Sequence, residues 1–349
     1  MKTSQKYHLY MDDKMSSSRT SVSITLIGVG SIGISFAALY LKYSQAAISI
    51  YDPRTDLDEH VRSVLPLYLD SPDEEYEIDS LVARKRLRIC QSLAEACKHA
   101  DIVQEQGPEN LAFKTSIWKQ VIGLVSPDAH LWSSTSGIPA SEQVSGLEDK
   151  TRLIVVHPFN PPHIMPLIEI VPSPFTSPEK VDFAKRFFKA MESGHQPVVV
   201  KKELPGFVGN RLAFVLLREA CHLVSEGVVS VDDLDTIVEA SIGPRWAVTG
   251  PFKSYHYGGG VKGLQGFFQN LSGTIDTIWD DAGQESFKGT SFPSHSSEDS
   301  SIHTEQATSW AENVVEQTNE AYGLHTTSDF AKRDQALKKL LAARGIKSG

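Results

Sequence analysis

Val22-Ser23-Ile24-Thr25-Leu26-Ile27-Gly28-Val29-Gly30-Ser31-Ile32-Gly33-Ile34-Ser35-Phe36 changes character halfway along its length. Residues 22–27 form a β-branched, largely apolar run, the composition of a parallel strand covered on both faces. From Ile32 onward, Ile32, Phe36, Leu39 and Tyr43 follow helical spacing. Between them Gly28-Val29-Gly30-Ser31-Ile32-Gly33 matches G-x-G-x-x-G, in the strand-then-helix context that gives the pattern meaning. Gly28 permits the tight turn, Gly30 lets a dinucleotide diphosphate reach the backbone, and Gly33 allows close helix packing. The N–H groups of Ser31 and Ile32 then face the diphosphate at the helix N-terminus.

Working outward, a second short strand over residues 47–51 ends at Asp52-Pro53. Asp52 lies 24 residues after Gly28, where a carboxylate accepts hydrogen bonds from the adenine-ribose hydroxyls and repels a 2′-phosphate. NAD is therefore expected over NADP, with Arg54 the one neighbour that argues otherwise. A structural loop with Asp52 as a helix cap is the alternative. Strand-like runs at 87–89, 102–104 and 131–132 alternate with helical segments near 93–97 and 111–125, the pattern of a doubly wound sheet. Runs at 153–156 and 167–171 flank Pro158, Pro161, Pro162 and Pro166, which forbid a regular helix and predict a loop returning toward the sheet. A helix over 181–191 and a strand over 197–200 close this region. Beyond Pro205-Gly206 the spacing predicts helices at 207–226 and 231–240, the latter capped by Ser230.

The 349 residues therefore divide into a polar tail (1–20), an α/β dinucleotide-binding domain of Rossmann type (21–204) and a helical C-terminal domain (205–345) carrying a Ser-rich insertion at 291–304. A hydrophobic fraction of 40% and a charged fraction of 22% read as globular. The net charge of −9 leaves no basic stripe for nucleic acid. Arg84-Lys85-Arg86-Leu87-Arg88 is offset by Asp73, Glu74, Glu75 and Glu77 and reads as a solvated face. Three cysteines, Cys90, Cys97 and Cys221, give neither a disulfide framework nor a metal-ligand spacing. They suit a reducing compartment, and no metal is expected. No apolar run approaches the roughly 20 residues of a membrane helix. The N-terminus has no secretory apolar core, and Asp12 and Asp13 speak against a transit sequence, so a cytoplasmic location is expected.

His157 stands where a strand ends and the proline-rich loop begins, the end of the sheet at which ligands bind. Glu169 follows 12 residues later inside Leu167-Ile168-Glu169-Ile170-Val171. A carboxylate among four aliphatic residues needs a partner. If the two runs pair, Glu169 accepts a hydrogen bond from one His157 nitrogen and leaves the other to take a proton from a substrate hydroxyl. A purely structural His–Glu pair is the competing reading. Ser136 ends another strand and can either donate to a substrate oxygen or cap the helix after Pro139. Asn210, in the first turn of the long helix, can face the same oxygen or simply be solvated.

Together these segments resemble the 3-hydroxyacyl-CoA dehydrogenase superfamily, and within it the lambda-crystallin/L-gulonate 3-dehydrogenase branch. The resemblance runs from about residue 21 to about 264. It rests on Ser134-Thr135-Ser136, His157-Pro158-Phe159-Asn160-Pro161-Pro162, Pro205-Gly206-Phe207-Val208-Gly209-Asn210-Arg211-Leu212, Glu226-Gly227-Val228-Val229-Ser230 and Gly243-Pro244-Arg245-Trp246-Ala247-Val248-Thr249-Gly250-Pro251. It implies catalytic roles for His157, Glu169, Ser136 and Asn210, with Ser136 and Asn210 also facing substrate. Glu109, Lys114, Ser136 and Asn160 would seat the nicotinamide-ribose side of NAD, although Glu109 and Lys114 read locally as a helix-end charge and a surface lysine. It also implies a homodimer formed through the helical domain. Acidic Asp70-Ser71-Pro72-Asp73-Glu74-Glu75 would repel a CoA phosphate, whereas Arg245 suits a free carboxylate. The expectation is NAD-dependent oxidation of a 3-hydroxy group on a small acid such as L-gulonate. The alternatives are a 3-hydroxyacyl-CoA substrate or a noncatalytic, crystallin-like NAD-binding role.

Overall fold

The computed structural model describes residues 22–288, 309–323 and 326–346. The expected tail at 1–20 and insertion at 291–304 lie outside the described residues. The chain opens β1 (Ser23–Ile27), α1 (Ser31–Tyr43), β2 (Ala47–Tyr51), α2 (Leu57–Leu69), α3 (Ile78–Ala83), β3 (Leu87–Ile89), α4 (Leu93–Cys97) and β4 (Ile102–Glu105). It continues α5 (Leu111–Ile122), β5 (His130–Ser133), α6 (Ala140–Gln143), β6 (Leu153–Pro158), β7 (Leu167–Pro172), α7 (Pro178–Ala190) and β8 (Gln196–Val199). Then come α8 (Gly209–Ser225), α9 (Val231–Ala240), α10 (Ile242–Val248), α11 (Pro251–Gly258), α12 (Gly263–Asp281), α13 (Trp310–Tyr322) and α14 (Thr327–Ala343). Two compact units result: one runs to Arg211 and resumes at Lys332, and the other is Leu212–Ala331. Among the described residues no helix is long and apolar enough to cross a membrane.

The first unit is built on one eight-stranded sheet in the order β3-β2-β1-β4-β5-β6-β7-β8. Pairings from β3 across to β6 are parallel, β6 and β7 are antiparallel, and β8 runs parallel to β7. Strand alternation sends Ile24, Leu26, Ile48 and Ile50 into a core with Phe36, Leu39, Tyr40, Val61, Phe187 and Phe188. Ile27, Val103, Leu131 and Val155 enter a second core with Cys97, Ile117, Trp118 and Val121. Each such side chain contributes about 1.5–3 kcal/mol when fully buried, so both faces of the sheet are firmly covered. The strand order reverses between β1 and β4, the point outside whose carboxyl ends open α/β sheets bind ligands. Gly28 and Gln106 are the residues that follow those two strand ends.

The proline-rich loop does return the chain, and the antiparallel register sets His157 directly opposite Glu169. One expectation changes. The long helix starts at Gly209 rather than 207, because Gly206 (φ 72°) and Phe207 (φ 52°) both adopt the left-handed conformation. Phe207 is fully buried beneath that turn instead of lying on a helix face. The helix α2 runs through Pro66, a residue type that breaks helices in most interior positions. Pro66 lies on the exposed side of the helix, while Leu57, Val61, Leu65 and Leu69, four residues apart, form the buried stripe.

In the helical unit Ser230 caps α9 by accepting the Asp233 N–H at 3.2 Å. Tyr322 Oη donates to Asp235 at 2.6 Å, tying α13 to α9. His222 Nδ1 meets Glu285 Oε1 at 2.7 Å. Leu212, Phe214, Val215 and Leu217 of α8 are at least half exposed.

Candidate active site

The glycine loop has the geometry its sequence implies. Gly28 sits at φ 92° and its N–H donates to the Tyr51 carbonyl at 2.9 Å. A Cβ on Gly33 would stand 2.0 Å from the Gly28 oxygen, so helix and loop touch through that glycine. A Cβ on Gly30 would meet nothing within 4 Å, which leaves an open cradle in front of the helix. Gly30 is also the N-cap of α1 and gives no side-chain cap, leaving the first-turn N–H groups of Ser31 and Ile32 to an anion.

Asp52 closes the far side of the loop. Its Oδ2 accepts the Val29 N–H and its Oδ1 the Arg54 N–H, each at 3.0 Å. A carboxylate oxygen so engaged keeps lone-pair capacity for a ribose hydroxyl. The Arg54 guanidinium is turned onto Asp56 at 2.7 and 3.0 Å, so its charge is already paired. That removes the one feature that argued for a 2′-phosphate.

Gln106, which the sequence did not single out, follows β4. Both polar atoms of its side chain are closed to water and have no hydrogen-bond partner among the described residues. Its Oε1 stands 3.6 Å from where a Gly33 Cβ would be. A buried amide without partners is costly and calls for an explanation. The open cradle at Gly30, the uncapped helix and this amide together fit a dinucleotide.

Further along the sheet's carboxyl edge, β6 and β7 supply the His–Glu pair. His157 Nδ1 lies 2.8 Å from Glu169 Oε2, and both residues are buried. A carboxylate only accepts, so the ring proton sits on Nδ1 and the neutral imidazole keeps its lone pair on Nε2. Glu169 Oε1 accepts the N–H groups of Val208 and Gly209, each at 3.0 Å. Burial pushes the Glu169 pKa up, but the His157 contact and the Gly209 and Val208 N–H groups outweigh it and leave the pKa below the usual carboxylate value. The left-handed turn at Gly206-Phe207 is what aims those two N–H groups at the carboxylate. The rings of Phe159 and Phe207 flank the imidazole at 5.4 and 5.3 Å.

Ser136 and Asn210 come together: Asn210 Nδ2 donates to the Ser136 carbonyl at 2.9 Å. Ser136 does not cap the helix after Pro139; that role falls to no side chain, and Thr135 Oγ1 instead accepts the Ile138 N–H at 3.0 Å. The Ser136 hydroxyl donates to Glu109 Oε1 at 3.2 Å. The same oxygen accepts from Thr135 Oγ1 at 2.5 Å and from the N–H groups of Ser136 and Gly137 at 3.0 and 2.9 Å. Lys114 is no surface lysine. It is fully buried, its Nζ lying 3.0 Å from both oxygens of Glu105 and 3.8 Å from Glu109 Oε2. Glu105 was missed in the sequence; its signal was a polar Gln104-Glu105 end on an otherwise apolar strand. Asn160 is exposed just after β6 and joins Pro161 through a cis peptide bond. Arg245 is exposed on α10, in the helical unit.

Comparison with known proteins gives the arrangement a family. Residues 23–204 match the 3-hydroxyacyl-CoA dehydrogenase NAD binding domain, and residues 206–289 match the 3-hydroxyacyl-CoA dehydrogenase C-terminal domain. A 3-hydroxyacyl-CoA dehydrogenase of Gibberella moniliformis is 36% identical over 262 residues, covering 74% of this chain and 80% of that protein. An L-carnitine dehydrogenase of Nocardiopsis dassonvillei is 32% identical, covering 74% of this chain and 77% of that protein. A solved 5-formyl-3-hydroxy-2-methylpyridine 4-carboxylic acid 5-dehydrogenase, described as an NAD+-dependent dismutase, superposes with a TM-score of 0.70 at 27% identity, covering 93% of this chain and 97% of its own. The chain belongs to the 3-hydroxyacyl-CoA dehydrogenase family and is an NAD-dependent oxidoreductase acting on CH–OH donors.

Proposed function

We propose that the chain oxidises the 3-hydroxy group of a small free hydroxy acid, of the L-carnitine or L-gulonate kind, to the keto acid. The observation that carries this reading is the buried 2.8 Å contact between His157 Nδ1 and Glu169, which leaves Nε2 as a base. NAD, when bound, supplies the hydride acceptor. His157 Nε2 takes the hydroxyl proton, and Glu169, held ionised by two backbone N–H groups, stabilises the imidazolium that results. Such general-base help contributes about 10²–10⁴-fold. Ser136 and Asn210 hold the substrate oxygen, and Asn160 and Glu109 stand on the nicotinamide-ribose side.

The choice of a free acid is supported by relatives named L-carnitine dehydrogenase and by Arg245, whose guanidinium can bind a carboxylate bidentately. In the acidic stretch after α2, Asp73 and Glu74 oppose a CoA phosphate, whereas Asp70 and Glu75 are paired with Lys338 and Arg84 at 2.9 and 3.4 Å. A CoA thioester is the second reading, favoured by the 36% identical relative of that name. We further propose a homodimer joined through the helical unit, acting in the cytoplasm, where its three free, buried cysteines stay reduced.

The test is NADH formation with L-carnitine, L-gulonate, other 3-hydroxy acids and a 3-hydroxyacyl-CoA. Free acids should turn over at least tenfold better than the thioester; the reverse order moves the assignment to CoA, and no turnover on any of them overturns the substrate assignment. His157→Ala should lower kcat by two to four orders of magnitude with NAD binding intact. Arg245→Met should raise KM for the acid about tenfold or more, and an unchanged KM removes Arg245 from the site.

A further inference from the structure

Glu105 and Lys114 form a completely buried ion pair at the carboxyl end of β4, with side-chain exposures of 0% and 1%. Such a pair is a poor device for stability, because desolvating two charges offsets most of their attraction. Here the partners are also saturated. Glu105 accepts the Gly107 N–H at 2.6 Å, the Ser133 hydroxyl at 3.2 Å and Lys114 Nζ at 3.0 Å on each oxygen. The Lys114 side chain is only 1% exposed. Its ammonium does point one way, toward Glu109 Oε2 at 3.8 Å. Glu109 is 43% exposed at its side chain, and its other oxygen gathers four donors from Thr135, Ser136 and Gly137. A buried carboxylate, a buried ammonium and a half-exposed carboxylate therefore stand in line, ending on the loop that carries Ser136.

The geometry points to Glu105 as a positioning residue for the cofactor. It fixes Lys114, Lys114 fixes Glu109 as an oriented carboxylate, and Glu109 holds residues 135–137 at the nicotinamide side. The placement of Glu109 and Ser136 beside the nicotinamide ribose rests on the function proposed above; the buried pair does not. Gly107 belongs to the device, because a Cβ there would meet the Phe113 ring at 2.4 Å and push the Glu105-facing N–H away.

The double variant E105L/K114M separates positioning from packing. Replacing a buried pair by apolar side chains of similar volume is commonly neutral or stabilising. A melting temperature within a few degrees of the unsubstituted chain is therefore expected, with NAD bound at least tenfold more weakly by titration calorimetry without substrate. Preserved melting temperature with unchanged NAD affinity overturns the proposal. Should the double variant not fold, E105Q carries the test: in the folded chain it must weaken NAD at least tenfold, and unchanged affinity again overturns the proposal. The titration of the unsubstituted chain reports on NAD binding itself, and substrate turnover is not involved, so failure here and failure of the substrate assignment are told apart.

Discussion

His163 shows how one buried side chain couples this fold to pH. Its Nδ1 lies 2.8 Å from Ser35 Oγ on α1, its backbone N–H donates to the same oxygen at 2.9 Å, and its ring packs on Tyr68 of α2. Burial first, and then the positive charge of Lys338, push its pKa from 6.5 down to about 4, with Lys42 adding to this and Asp334 and Asp70 opposing it. The folded chain thus refuses a proton that the unfolded chain accepts. Stability from this group is complete above pH 6.5 and is lost as pH falls toward 4, by about 3 kcal/mol for a shift of this size. Melting temperature should fall steadily from pH 7 to pH 4, and His163→Asn should flatten that slope. An identical slope in the variant would move the effect to His130, which burial holds at about 3, or to His195. None of this was legible beforehand, because a histidine in a proline-rich loop carries no sign of what will cover it. His157 was legible, since the aliphatic run around Glu169 demanded a partner for the carboxylate.

At the scale of elements, the glycine loop separates folding from binding within six residues. Gly33→Ala forces a Cβ to 2.0 Å from the Gly28 oxygen, backbone against backbone, so the loop or α1 must shift. A loss of about 1–3 kcal/mol is expected, as for other overpacked sites. Gly30 has a negative φ of −63° and open space beyond it. Gly30→Ala should change stability by no more than about 1 kcal/mol, because the poorer N-cap offsets the reduced unfolded-state entropy, while weakening NAD at least tenfold because the methyl fills the cradle. Denaturant melts and NAD titrations of the two variants check the contrast, and equal stability losses in both would refute it. The same scale explains which elements the sequence disclosed. The central strands were readable because strands covered on both faces are continuous apolar runs, and the edge strands β3 and β8 by their short apolar runs between helices. The turn at Gly206-Phe207 was not, because an aromatic residue in the left-handed conformation looks locally like the start of a helix. It is held by long-range partners: the Phe207 ring against His157, and the next two N–H groups on Glu169.

For the whole molecule, the apolar residues left uncovered on the helical unit are the feature still needing an occupant. Leu212, Phe214, Val215 and Leu217 of α8 are exposed by 64, 60, 60 and 50%, and Leu216 by 38%. Soluble monomers seldom leave so contiguous an apolar stretch in water. A second copy is the occupant that a helix of this composition suits, because a twofold axis lets the same surface cover itself. The sequence disclosed this surface only as an unusually apolar helix. Periodicity says which side of a helix is greasy, but it cannot say whether that side meets the chain's own core or another molecule. The expected outcome is a dimer of twice 38.4 kDa by light scattering. Phe214→Glu together with Val215→Glu, two charges on an apolar contact, should yield a monomer that keeps its sheet and its His157–Glu169 pair. An unsubstituted chain that runs as a monomer at micromolar concentration would remove the dimer and leave this face to a different partner.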